Sequence, residues 1–153
     1  MPTILILCTG NICRSPMAEA LLRAKVPGLR ILSAGLNAAV GMPADPHVIR
    51  LMRERGFDVG AHRGRQLQGW MIQAADLILV MERQQRLAVE ALFPICRGKV
   101  LLWGEFDGRD VPDPYLQDEM AFRQVLGMIS DGLTRWAERL PRLLGPLSCE
   151  RSL

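Results

Sequence analysis

The chain has 153 residues, 49% of them hydrophobic, 23% charged and only 5% aromatic, with a formal net charge of +3. This balance suits one domain with an aliphatic core and excludes a disordered chain. The mild positive charge fits an anionic ligand and does not call for nucleic acid. No apolar run approaches the roughly 20 residues of a membrane span, and no basic and long apolar leader precedes the first strand, so a cytoplasmic protein is expected. The four cysteines, Cys8, Cys13, Cys96 and Cys149, lack zinc spacing, and the two histidines, His47 and His62, are too scattered for a metal site. No metal or other cofactor is expected.

Thr3 to Cys8 is nearly continuous in apolar residues, the pattern of a strand buried on both faces. A loop over residues 9–14 follows. Ser15 stands at the N-cap position and Pro16 at the first position of a helix running to about Lys25, before Pro27-Gly28. Leu29 to Gly35 predicts a second strand with a small, polar end, and Leu36 to Pro43 a loop bearing Gly and Ala. Asp45-Pro46 opens a helix with Val48, Ile49 and Met52 on one face, stopped by Gly56. Phe57 to Gln68 is irregular and basic. A short helix around Trp70–Ala75 precedes a buried strand, Asp76 to Met81. Glu82 to Phe93 predicts a helix with Leu87, Ala88, Ala91 and Leu92 sharing one face, closed by Pro94. Lys99 to Trp103 is the fourth strand, and Gly104 to Tyr115 a polar loop. In the last helix Phe122, Val125, Leu126, Ile129, Leu133, Trp136, Ala137 and Leu140 recur at helical spacing. Pro141 is expected to end it, so that residues 1–141 form the domain and 142–153 a loose C-terminal tail. Strands alternating with helices imply an α/β fold with a parallel sheet. Ligands of such folds bind at the carboxyl ends of strands, where Cys8 stands.

The stretch Cys8-Thr9-Gly10-Asn11-Ile12-Cys13-Arg14-Ser15 lies between the first strand and the first helix. Backbone N–H groups of such a loop converge on one point and bind an anion. Gly10 lets the backbone approach closely, and Asn11 tolerates the left-handed conformation that an inward-folded loop needs. The N–H groups, the helix dipole and the Arg14 guanidinium favour a thiolate at Cys8. The same donors hold phosphate oxygens, Arg14 bidentately, and stabilise the transition state without a metal. Transfer of phosphate to Cys8 needs a proton for the leaving oxygen. Asp113, stiffened by Pro112 and Pro114, is the candidate acid and then base; Pro-Asp-Pro-Tyr is equally a turn sequence. Cys13 is either a redox partner that traps oxidised Cys8 as a disulfide or a small buried hydrophobe. Cys96 and Cys149 are incidental, His47 is a first-turn helix residue, and the tryptophans are core or rim residues. His62 suits a structural hydrogen bond better than catalysis.

The Cys-x₅-Arg-Ser pattern at Cys8–Ser15, with Asp113-Pro114-Tyr115 near the C-terminus, resembles the low-molecular-weight protein tyrosine phosphatase family, over Ile4 to about Leu140. The resemblance implies a single α/β domain with a four-stranded parallel sheet of order 2-1-3-4, flanked by helices on both faces. It implies a cysteinyl-phosphate intermediate, with Cys8 as nucleophile, Arg14 as phosphate clamp and Asp113 as acid and base. It implies that Asn11, Ser15, Ser33 and His62 brace the loop, and that Ser15 hydrogen-bonds the Cys8 sulfur. Ser33-Ala34-Gly35-Leu36, Val40-Gly41, Ala44-Asp45-Pro46 and Arg65-Gln66-Leu67 resemble the bacterial branch. That branch is similar to phosphatases of capsule and exopolysaccharide operons, which act on a tyrosine autokinase. Leu36, Val40 and Tyr115 would then wall a cleft around the phenyl ring.

Relatives that share the loop offer alternatives. Protein-arginine phosphatases of this fold carry Thr where this chain has Ile12. Thioredoxin-coupled arsenate reductases need two further cysteines close together, and Cys96 stands alone. A non-catalytic phosphotyrosine-binding module would not need Cys8, Arg14 and Asp113 together.

Overall fold

The computed structural model describes residues 1–145. Its elements run β1 (Thr3–Cys8), α1 (Arg14–Lys25), β2 (Arg30–Gly35), α2 (Pro46–Glu54), α3 (Gly69–Ala74), β3 (Leu77–Val80), α4 (Arg83–Leu92), β4 (Val100–Leu102) and α5 (Glu119–Leu144). Single 3₁₀ turns lie at Pro94–Cys96 and Glu105–Asp107. All four strands are parallel, in the order β2-β1-β3-β4. Every residue of β1 is buried, as expected of a strand with neighbours on both edges and helices on both faces.

Alternation along β1 sorts the core into two layers. Ile4, Ile6 and Cys8 pack with α1, α2 and α5 on one face of the sheet, and Leu5 and Leu7 with α3 and α4 on the other. After β1 the chain goes to β2 on one side, then returns to β3 on the other. The crevice opened by this change of direction lies beyond the carboxyl ends of β1 and β3.

Local signals explain most boundaries. Asp45 caps α2 by accepting from the His47 N–H at 2.9 Å, with Pro46 at the first helical position. At its other end Gly56, at φ 86°, donates to the Arg53 carbonyl and Phe57 to the Met52 carbonyl, a Schellman closure.

Three expectations need correction. Ser15 is not an N-cap: α1 begins at Arg14, its cap is Cys13, and no side chain caps it. Pro16 sits in the first turn, where its missing N–H has no helical partner to lose. Pro141 does not end α5, which continues to Leu144 because Leu140 and Leu144 still pack on the core. Residues 146–153 of the expected tail, Cys149 among them, lie outside the described residues. On α4 the face carrying Leu87, Ala88, Ala91 and Leu92 is exposed, while Gln85 and Val89 are buried.

The end of β2 leaves no room for a side chain. A Cβ on Gly35 would lie 2.6 Å from the Thr9 carbonyl oxygen and 3.0 Å from Ala38. Gly35→Ala is therefore expected to push the loop after β1 off its position. Urea denaturation should show a loss of about 1–3 kcal/mol, with a parallel fall in any activity that depends on the loop.

Candidate active site

Beyond β1 the backbone folds into a cradle whose centre is the Cys8 sulfur. The Asn11 N–H points at Cys8 Sγ from 3.3 Å, and the Ser15 hydroxyl lies 3.0 Å from the same atom. Asn11 holds φ 58°, the left-handed region that asparagine enters more readily than most residues. Its side chain is the hub of the brace. Nδ2 donates to Ser15 Oγ at 2.7 Å and to Ser33 Oγ at 3.2 Å, while Oδ1 accepts from the Arg65 N–H at 3.0 Å. Ser33 in turn donates to Glu19 Oε1 at 2.6 Å. Because Ser15 Oγ accepts from Asn11, its own proton is left to point at the sulfur. His62 Nε2 donates to the Asn11 carbonyl at 2.6 Å, which fixes the proton on that nitrogen. The structure thus brings together Asn11, Ser15, Ser33 and His62. It adds Arg65, which the sequence marked only as part of the Arg65-Gln66-Leu67 resemblance, and Glu19, which the sequence did not single out because it looks like a solvated surface charge.

Arg14 is 1% exposed. Its Nη1 is tied to the Glu82 carboxylate and donates to the Val111 carbonyl at 2.8 Å. Its Nη2 lies 3.5 Å from Thr9 Oγ1 and 3.7 Å from Asp113 Oδ2, and its Nε is buried without a partner. One nitrogen is anchored, and the Nε–Nη2 edge of the guanidinium is left for two oxygens of a bound anion. Glu82 follows β3 directly, so strand order brings it to β1's loop. Its neighbour Gln85 seals the same corner, accepting from the Met81 and Glu82 N–H groups and donating to Thr9 Oγ1 at 3.1 Å. Neither residue stood out in sequence, where Glu82-Arg83-Gln84-Gln85 looks like an ordinary polar helix start.

Asp113 arrives on the long loop after β4. Val111 donates to the Met81 carbonyl at 2.8 Å and is buried, as is Pro114, so the loop is fixed on both sides of the aspartate. Asp113 Oδ1 accepts from the Tyr115 N–H at 3.0 Å, leaving Oδ2 toward Arg14. The turn and the site placement coexist: the turn hydrogen bond is what aims the other oxygen.

A cavity of about 340 Å³ is lined by Cys8, Thr9, Gly10, Ile12, Cys13, Arg14, Asn37, Ala38, Ala39, Asp113 and Tyr115. Leu36 and Val40 do not line it, which corrects the expected walls. Leu36 packs against the core beneath the sheet, and Val40 is 68% exposed on the turn beyond. Asn37, Ala38 and Ala39 take their place, held by hydrogen bonds to the Thr9 and Gly10 carbonyls and to Gln66. Cys13 is buried beside the cradle. Burial, reinforced by Asp45, pushes its thiol far above the ordinary range, so it stays neutral. Cys96 is buried in the other layer of the core. Among the described residues no three His, Cys, Asp or Glu side chains converge as metal ligands would.

Glu82 orients Arg14 without lining the cavity. Glu82→Ala is expected to lower kcat on a phosphate monoester by about 10–100-fold, the scale of a misplaced binding group, with a smaller change in KM. Glu82→Gln, which keeps one acceptor, should recover part of the loss.

Comparison with known proteins agrees with this geometry. Residues 3–144 match the family described as low molecular weight phosphotyrosine protein phosphatase. The chain is 46% identical to a probable low molecular weight protein-tyrosine-phosphatase, EpsP, of Ralstonia solanacearum, over 94% of this chain and 98% of the relative. Among solved structures, the tyrosine phosphatase Wzb of Escherichia coli K30, in complex with sulphate, superposes with a TM-score of 0.87 at 40% identity, covering 90% of this chain and 97% of Wzb. The YwlE arginine phosphatase of Geobacillus stearothermophilus superposes equally well, with a TM-score of 0.87, at 33% identity over 93% of this chain and 94% of that one. The chain belongs to the low molecular weight phosphotyrosine protein phosphatase family.

Proposed function

We propose that this enzyme hydrolyses phosphotyrosine in proteins through a cysteinyl-phosphate on Cys8. The observation that carries the proposal is the convergence of Cys8, Arg14 and Asp113 on one cavity, with Arg14 Nε buried and without a partner. In the first step the Cys8 sulfur attacks phosphorus, the P–O bond to the tyrosine breaks, and Asp113 gives its proton to the departing phenoxide. The loop N–H groups and Arg14 hold the equatorial oxygens throughout. In the second step water attacks phosphorus, Asp113 takes its proton, and the P–S bond breaks to release phosphate. The Ser15 hydroxyl supports the leaving thiolate.

Two features of the cavity favour an aromatic ester. Tyr115, Ala38 and Ala39 all line it, an aromatic ring and two methyl groups that suit a phenyl ring. Ile12 adds an apolar group, where a phosphoguanidine would want a hydrogen-bonding partner. The substrate is taken to be a bacterial tyrosine autokinase of a capsule or exopolysaccharide system, in the cytoplasm. Support for it is the similarity to phosphatases of such operons. Cys13 is proposed as the partner of oxidised Cys8. Peroxide would oxidise the Cys8 thiol to the sulfenic acid and leave as water, and condensation with the Cys13 thiol would then form the disulfide and release a second water.

Purified protein should hydrolyse para-nitrophenyl phosphate and phosphotyrosine peptides without added metal, and Cys8→Ser should abolish turnover. Full activity in that variant would refute the mechanism. Asp113→Asn should lower kcat most for poor leaving groups; equal losses across leaving groups would remove it as the acid.

Substrate choice has its own test. Ile12→Thr should raise the ratio of phosphoarginine to phosphotyrosine turnover by about 10-fold or more, the scale of pocket discrimination. An unchanged ratio would show that Ile12 does not set it.

A further inference from the structure

Helix α4 turns its apolar face to solvent. Gln84, Leu87, Ala88, Ala91, Leu92 and Ile95 are all exposed, Leu87 at 68%, Leu92 at 67% and Ile95 at 74%. The active site imposes this orientation. Gln85, on the opposite face, bonds Thr9 Oγ1 and the two N–H groups after β3, and Val89 packs below it. Rotating the helix to bury its leucines would break those bonds. No charge interrupts the stripe, and the flanking Arg86 and Glu90 pair with each other at 3.0 Å. The exposed apolar surface is on the order of 500 Å², at the upper end of what a monomer shows.

We propose that this face joins two copies of the chain, α4 against α4 in antiparallel sense about a twofold axis. The segment Leu87-Ala88-Val89-Glu90-Ala91-Leu92 reads the same in both directions at its exposed positions. A twofold axis between Val89 and Glu90 sets Ala88 over the partner's Ala91, with Leu87 beside the partner's Leu87 on one flank and Leu92 beside the partner's Leu92 on the other. A twofold contact sets one patch against itself, and this patch is apolar and free of charge between Leu87 and Leu92 on its exposed side, so a second copy offers it a matching face. The alanines let the helix axes approach to about 8 Å, and the leucines close both sides. Pairing would bury roughly 1,000 Å² over the two copies, enough for reversible association and well short of an obligate dimer.

Sedimentation velocity on the full chain, from about 1 µM to about 500 µM, spans the affinities such an area supports. The mass should rise from 17.1 kDa to twice that value. Leu87→Lys should hold the protein at the monomer mass with its circular dichroism and para-nitrophenyl phosphate turnover unchanged. Mixing Leu87→Lys protein with Leu87→Glu protein sets opposite charges against each other at that flank and should restore the dimer. A single 17.1 kDa species at every concentration would overturn the proposal. So would a dimer indifferent to Leu87→Lys, or a mixture of the Leu87→Lys and Leu87→Glu proteins that stays monomeric. A monomer that cosediments with phosphatidylserine vesicles would overturn it in favour of a membrane surface. These readouts are independent of whether the enzyme prefers phosphotyrosine.

Discussion

Arg14 carries a full charge in a nearly solvent-free position, and an isolated guanidinium there would cost several kcal/mol. Glu82 and the Val111 carbonyl meet that cost, and in doing so they decide much of the architecture around them. Glu82 must stand at the end of β3, beside β1, and Val111 must return from β4 to the same point. The strand order β2-β1-β3-β4 satisfies both, because it seats the three carboxyl ends that matter next to one another. The anchoring is also selective. It occupies Nη1, leaves Nε without a partner and gives Nη2 only long contacts to Thr9 and Asp113, so a ligand need not displace the groups that hold the buried charge.

The strands were legible because a parallel sheet covered on both faces needs unbroken apolar runs, and Ile4 to Leu7 and Leu77 to Val80 supply them. The cradle was legible because its residues are adjacent in sequence and each has a local reason to be there: Asn11 for its left-handed turn, Gly10 for space, Arg14 at the mouth of a helix. Glu82, Gln85 and Glu19 were not, since their roles depend on which strand ends become neighbours, and nothing local marks them. Ser15 was legible in kind but not in use. Its hydroxyl looked like a cap and serves the sulfur instead, from the second position of the helix. Leu36 and Val40 misled because apolar residues near a cleft are easily assumed to line it, while here Ala38 and Ala39 fit the space and the larger side chains fall to either side.

Helix α4 shows the sharpest conflict between pattern and packing. By periodicity Leu87, Ala88, Ala91 and Leu92 belong inside; by hydrogen bonding Gln85 does. A buried amide that fills three hydrogen bonds and completes a catalytic corner outweighs leucines that lose a fraction of their burial, each worth about 1–2 kcal/mol. Proline at position 141 shows the reverse outcome. One missing N–H near the end of a 26-residue helix is a local penalty, and the packing of Leu140 and Leu144 overrides it.

The brace under Cys8 has a direction as well as a shape. Asn11 Nδ2 can only donate and the Glu19 carboxylate can only accept, so the Ser33 hydroxyl between them has one available sense, and the Ser15 hydroxyl, accepting from Asn11, turns its proton to the Cys8 sulfur. The polarity of every link is settled by composition and does not wait for substrate. The sulfur therefore meets the same hydroxyl proton in the empty enzyme, in the phosphorylated intermediate and after water has cleared it. Little dipole reorientation is needed along the reaction coordinate, so the reorganisation energy of this part of the site is small. The serine that began as a candidate cap is in that sense solvent that has been frozen in advance.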